Sequence, residues 1–210
     1  MSECPFREEP FKMKDGLLRR LLRAAVLSLR AEDAELATRF ASAPAPLDYS
    51  DDSHGLAYSV FETALVYEIF KAWLPLASTE WESNYDEGAR KVDLAVWPEP
   101  AKDDLVWLFE AKWWGGMSQK HLGFLDADCA KMLNRKTAAA RFLTTFWYND
   151  DRNWEEDLGA VRAFCARRQD GYTAKAVYAA SFPTHWVKAR DPSGAYFAMG
   201  VFAITASDAR

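Results

Sequence analysis

Apolar positions follow two different periods along the chain, and the switches between them divide it into elements. From Gly16 to about residue 42 the spacing is helical. Leu17, Leu18, Leu21, Leu22, Ala25 and Leu29 share one face, and Arg19, Arg20, Arg23 and Arg30 lie on the other. This predicts an amphipathic helix packed on a sheet with its arginines in water; the alternative for a basic helix of this kind is a membrane surface. The preceding residues 1–14, with two prolines and mixed charges, read as a tail or surface strap. A Pro/Asp/Ser loop at 43–53 follows the helix. A second helical stretch covers about 59–74 and stops before Pro75.

Residues 78–90 (STEWESNYDEGAR) read as a polar connection. At 91–97 the period becomes two, with Val92, Leu94 and Val96 alternating against Asp93, Ala95 and Trp97, which predicts a strand. After turn chemistry at 98–104, residues 105–114 (LVWLFEAKWW) are nearly all apolar, as in a central strand buried on both faces. A helix is expected over about 118–138, a strand at 140–148, a helix at 154–168, and strands at 174–182 and 195–206. The order predicts an α/β fold: a single domain over 1–210 with a mixed central β-sheet flanked by α-helices.

Composition narrows the function. Net charge is −5, which excludes a surface coated with nucleic-acid-binding charge but leaves room for a local basic groove. Cys4, Cys129 and Cys165 are too few and too scattered for a disulfide framework or a zinc cluster. No apolar run nears the ~20 residues of a membrane helix. These features point to a cytoplasmic protein with no membrane partner.

The chemistry lies in Asp93 on one strand and Glu110-Ala111-Lys112 on the next. Alternation puts Glu110 and Lys112 on one face, and a hairpin across 98–104 brings Asp93 beside Glu110. Two carboxylates inside an apolar sheet repel each other and are costly unless paired or metal-bound. A hard divalent cation, Mg²⁺ or Mn²⁺, relieves that repulsion. Such an ion polarises a phosphate and acidifies water, while a nearby lysine orients or deprotonates the water.

These residues resemble the PD-(D/E)xK nuclease superfamily, the restriction-endonuclease-like fold. The likeness covers residues 59–148, the motif-bearing core, and lacks the proline that often precedes the aspartate, since Lys91-Val92 stands there. The resemblance implies Asp93, Glu110 and the Ala111 carbonyl as metal ligands and Lys112 as the water-positioning residue. It also implies a glutamate from the preceding helix. Glu62 projects among Leu65, Val66, Ile69 and Trp73, whereas Glu68 can pair with Lys71, so Glu62 is the better candidate. On the helix after the motif, Lys131, Arg135 and Lys136 are candidates for holding a nucleic-acid backbone; the plainer reading is a solvated face balancing Asp126 and Asp128. Trp113 and Trp114 are read as packing residues rather than base-stacking ones.

The expected function is therefore a metal-dependent nuclease acting on DNA or RNA, with a homodimer possible for cutting two strands. The alternative is a nuclease-fold binding or assembly module without activity.

Overall fold

A computed structural model describes residues 6–9, 15–42, 62–84, 91–99, 105–114, 119–134, 138–149, 159, 163, 171–184 and 196–207. Within them the elements run β1 (Arg7–Glu9), α1 (Gly16–Ala41), α2 (Glu62–Trp73), β2 (Ser78–Asn84), β3 (Lys91–Trp97), β4 (Val106–Trp113), α3 (Gln119–Leu133), β5 (Ala138–Asn149), β6 (Tyr172–Pro183) and β7 (Tyr196–Ala206). Six strands and the three-residue β1 form one mixed sheet in the order β1-β6-β7-β5-β4-β3-β2. Only β4 and β5 run parallel, joined through the crossover that contains α3. All other neighbours are antiparallel.

The core lies in two layers. On one face α1 and α2 bury Leu18, Leu21, Leu22, Val26, Leu29, Leu65, Val66, Ile69 and Trp73 against Leu94, Trp107, Phe109, Phe142 and Phe146. On the other, α3 buries Leu122, Leu125, Cys129 and Met132 against Ala95, Val106, Leu108, Leu143 and Trp147. Each fully buried Leu or Phe contributes about 1.5–3 kcal/mol relative to exposure. The apolar face of α1 is thus part of the core, which fits the packing reading of its pattern. Among the described residues no helix is long and apolar enough to cross a membrane.

Local chemistry explains the boundaries. Asp15 caps α1, its Oδ1 accepting the N–H groups of Leu17 (2.9 Å) and Leu18 (3.1 Å). At the end of α2 the Trp73 indole N–H donates to the Leu21 carbonyl at 2.7 Å, tying the two helices together. In β6 the register shifts between Ala176 and Tyr178. This bulge moves the even-numbered positions from the α3 face, where Tyr172 and Ala174 lie, to the α1/α2 face, where Tyr178, Ala180 and Phe182 lie.

Three sequence expectations need correction. Residues 78–84 are not a polar connection but the edge strand β2, paired with β3 from Ser78↔Trp97 to Asn84↔Lys91. They escape the alternation rule because an edge strand buries little, and only Ser83 is buried here. Residues 7–9 within the expected tail form β1 on the opposite edge. The helix after the motif ends at Leu133, and Ala138 already belongs to β5. The helix expected at 154–168 lies outside the described residues apart from Gly159 and Ala163, both helical.

Candidate active site

The sheet opens where the motif lies. β3 and β4 pair through Leu94↔Phe109, Ala95↔Leu108 and Val96↔Trp107. The same register continued by one step would set Asp93 opposite Glu110, but the hydrogen-bonded ladder stops before them. On the other side of β3, pairing with β2 skips the Glu82–Asp93 position. Glu82 there has φ of 50°, in the left-handed region that costs a side-chain-bearing residue roughly 1–2 kcal/mol. Asp93 thus sits at an interruption in both ladders.

Parting the strands leaves β4 backbone groups without strand partners, and carboxylates take them. The Ala111 N–H donates to Asp93 Oδ2 at 2.7 Å, and the Trp113 N–H donates to Glu62 Oε2 at 2.9 Å. Residues 111 and 113 are two apart, so both N–H groups leave the same strand edge. The Ala111 carbonyl leaves that edge too.

Glu110 shares the α3 face with Val106 and Leu108 and is 4% exposed. There α3 brings up Asp128 and Lys131, three residues apart on one helix face. Lys131 Nζ meets Glu110 Oε1 at 2.5 Å. Lys112 Nζ lies 3.0 Å from Glu62 Oε1 and 3.6 Å from Asp128 Oδ2. The acid–base pair of the strand is therefore matched by a base–acid pair on the helix. Glu110 faces Lys131, and Lys112 faces Asp128 and Glu62.

Burial sets the protonation equilibria. It pushes the Glu110 carboxyl up to about 8, with neighbouring Asp93 adding to the rise and Lys131 opposing it. It raises Asp93 as well, against the Ala111 N–H and Lys131. Asp128 is raised by burial, against Lys112. For Lys112 burial works against the charge but is outweighed by Asp128 and Glu62, so its ammonium is held above the ordinary lysine range.

Of the sequence candidates, Asp93, Glu110, Lys112 and Glu62 come together, and the Ala111 backbone lies between them. Glu68 instead pairs with Lys71 at 2.6 Å. Lys131 points into the cluster rather than outward as a free backbone contact. Arg135 and Lys136 lie outside the described residues. Asp128, a surface counter-charge on the sequence reading, instead approaches Lys112; its spacing of three from Lys131 shows that the two share a helix face, but not that this face meets the motif. Trp113 packs edge-on against Phe146, Tyr148 and Phe197, which favours its packing reading.

The residues suit a divalent cation on two counts. Glu110 Oε2 is buried without a hydrogen-bond partner, an arrangement that costs about 1–3 kcal/mol or more if nothing meets it. Among the described residues four carboxylates (Glu62, Asp93, Glu110, Asp128) also gather around two ammonium groups, a deficit of two positive charges once all four are ionised, and it is this crowding that helps hold the Glu110 carboxyl protonated. Among the described residues no three His, Cys, Asp or Glu side chains form a metal-holding group. The available donor set is two carboxylates and a carbonyl. Mg²⁺ accepts so sparse a set because it keeps waters and takes oxygens from a substrate phosphate. Comparison with protein-family models, curated proteins and solved structures gives no match.

Proposed function

We propose that the chain is a metal-dependent nuclease of the restriction-endonuclease-like kind, hydrolysing phosphodiester bonds in nucleic acid. The observation that carries this reading is that Asp93 and Glu110, just past the last paired residues of β3 and β4, lie within electrostatic reach of each other, with Glu110 Oε2 buried and unpartnered. The site also lies toward the carboxyl end of β4, one of the two parallel strands, where open α/β sheets bind their ligands. Asp93, Glu110 and the Ala111 carbonyl would hold Mg²⁺ or Mn²⁺. When bound, the ion polarises the phosphodiester and acidifies water. Lys112 remains an ammonium between Asp128 and Glu62, so its part is to orient the attacking water and offset charge developing on the phosphate, not to remove a proton. Glu62 fixes Lys112 and the Trp113 backbone together.

The test is a Mn²⁺ titration by calorimetry on wild type and Asp93→Ala, followed by a cleavage panel of single- and double-stranded DNA and RNA. Binding lost in Asp93→Ala, and cleavage abolished in Lys112→Ala with the fold intact, are the expected results. Native-rate cleavage by Lys112→Ala removes its assigned role.

One observation favours a second reading. Lys131 and Lys112 already pair with the carboxylates, so the cluster is partly self-neutralised. A binding or assembly module would need no more than that. It predicts no metal binding and no cleavage of any nucleic acid, with the fold unchanged.

A further inference from the structure

We propose that Lys131 is a resident counter-ion for Glu110 that the metal must displace, so that metal loading frees this lysine for the substrate's phosphate. The inference rests on the nuclease reading and concerns how that site is filled. Glu110 is almost wholly buried and has two oxygens with different fates. Lys131 Nζ meets Oε1 at 2.5 Å, while Oε2 has no partner. A buried carboxylate beside a second one needs a cation. Among the described residues Lys131 is the ammonium in contact with Glu110, while Lys112 is held by Glu62 and Asp128.

A divalent ion bound to Glu110 and Asp93 would place its charge close to that ammonium, and like charges at such range repel strongly. Lys131 can leave where Lys112 cannot. Among the described residues Lys131 makes one ion pair, with Glu110, whereas Lys112 is bracketed by two carboxylates from different helices; the two side chains are about equally exposed, so the difference lies in the number of partners. A lysine displaced from the metal side stays tethered to α3 at the rim of the site, where a nucleic-acid phosphate would arrive.

The test uses the full chain and Mg²⁺ alone. Wild type, Lys131→Met and Lys131→Arg are titrated calorimetrically over a range of pH, and each is compared at the pH where its own Mg²⁺ affinity stops rising, so that loss of the ammonium is separated from competition with protons. The expected result is Mg²⁺ affinity at least about tenfold tighter in Lys131→Met, with Lys131→Arg close to wild type. In parallel, acylation of Lys131 in wild type is followed by mass spectrometry with and without saturating Mg²⁺. It is expected to rise several-fold, with Lys112 unchanged. This arm needs no variant. Mg²⁺ binding that is equal in wild type and Lys131→Met, or Lys131 labelling unmoved by bound Mg²⁺, overturns the displacement alone. Absence of Mg²⁺ binding in all three proteins overturns the nuclease reading and this inference with it.

Discussion

Glu110 concentrates the chemistry of the site in one side chain, and its ionisation gives the most direct test. Its carboxyl is pushed up to about 8 in the folded chain, while an unfolded glutamate titrates at ~4.3. A raised carboxyl means that the folded state holds a proton the unfolded state has released. The stabilisation is full below the unfolded value and is lost as pH rises through the folded one. Metal-free protein in a chelator should therefore lose stability between about pH 5 and pH 8, on the order of a few kcal/mol by urea unfolding. Glu110→Gln, which cannot ionise, should flatten this dependence; an unchanged slope would place its cause elsewhere. On the proposed reading Mg²⁺ would bind the ionised form, and its affinity is then expected to climb by up to about tenfold per pH unit below about pH 8. The sequence made much of this site legible. Asp93, Glu110 and Lys112 stand out because charge inside an apolar strand is anomalous. Asp128 and Lys131 were harder to assign because charges on a helix are ordinary, and only their approach to β4 gives them a role.

At the scale of elements, legibility followed burial. β4 could be read at once because six of its eight residues are buried, and so could the face that α1 turns to the core. β2 could not be read. It is strand only because β3 offers a hydrogen-bonding edge, and propensity in a polar edge segment carries little information. The close passage of β7 past β5 is another tertiary fact without local signal. A methyl group on Gly200 would meet Trp147 Cζ3 at 3.0 Å and Thr145 Oγ1 at 3.2 Å. Gly200→Ala should therefore destabilise the fold by about 1–3 kcal/mol, the usual cost of overpacking, despite the better strand propensity of alanine. Chemical denaturation measures this, and a stabilised variant would mean that the indole of Trp147 yields without cost. Asp15→Ala, which removes the cap of α1, should cost about 1 kcal/mol by the same measurement.

Across the whole molecule, α2 links the core to the chemistry. Its last residue, Trp73, is buried, stacks edge-on to Phe109 with ring centroids 4.7 Å apart and donates to the Leu21 carbonyl of α1. Its first residue, Glu62, grips Lys112 and the end of β4. Twelve helical residues put these ends about 16 Å apart. One end is anchored by packing and a buried hydrogen bond, the other by exchangeable charge, so the two should separate experimentally. Trp73→Phe removes the indole donor to the Leu21 carbonyl, which keeps its partner within α1, and leaves part of the indole's space unfilled; together these should cost about 1–3 kcal/mol. Mn²⁺ affinity should stay near wild type in that variant, because α2 remains docked through Leu65, Val66 and Ile69. Glu62→Ala should reverse the pattern. The pair it removes is more than a quarter exposed on both sides, so the loss of stability should stay within about 1 kcal/mol. Lys112 and the end of β4 then lose their fix, and cleavage should fall by about a hundredfold or more, the scale seen when a positioning group slips by an ångström. Paired urea unfolding and cleavage assays decide the matter. If Trp73→Phe depresses cleavage as deeply as Glu62→Ala does, α2 transmits strain along its length, and the core and the site behave as a single mechanical unit.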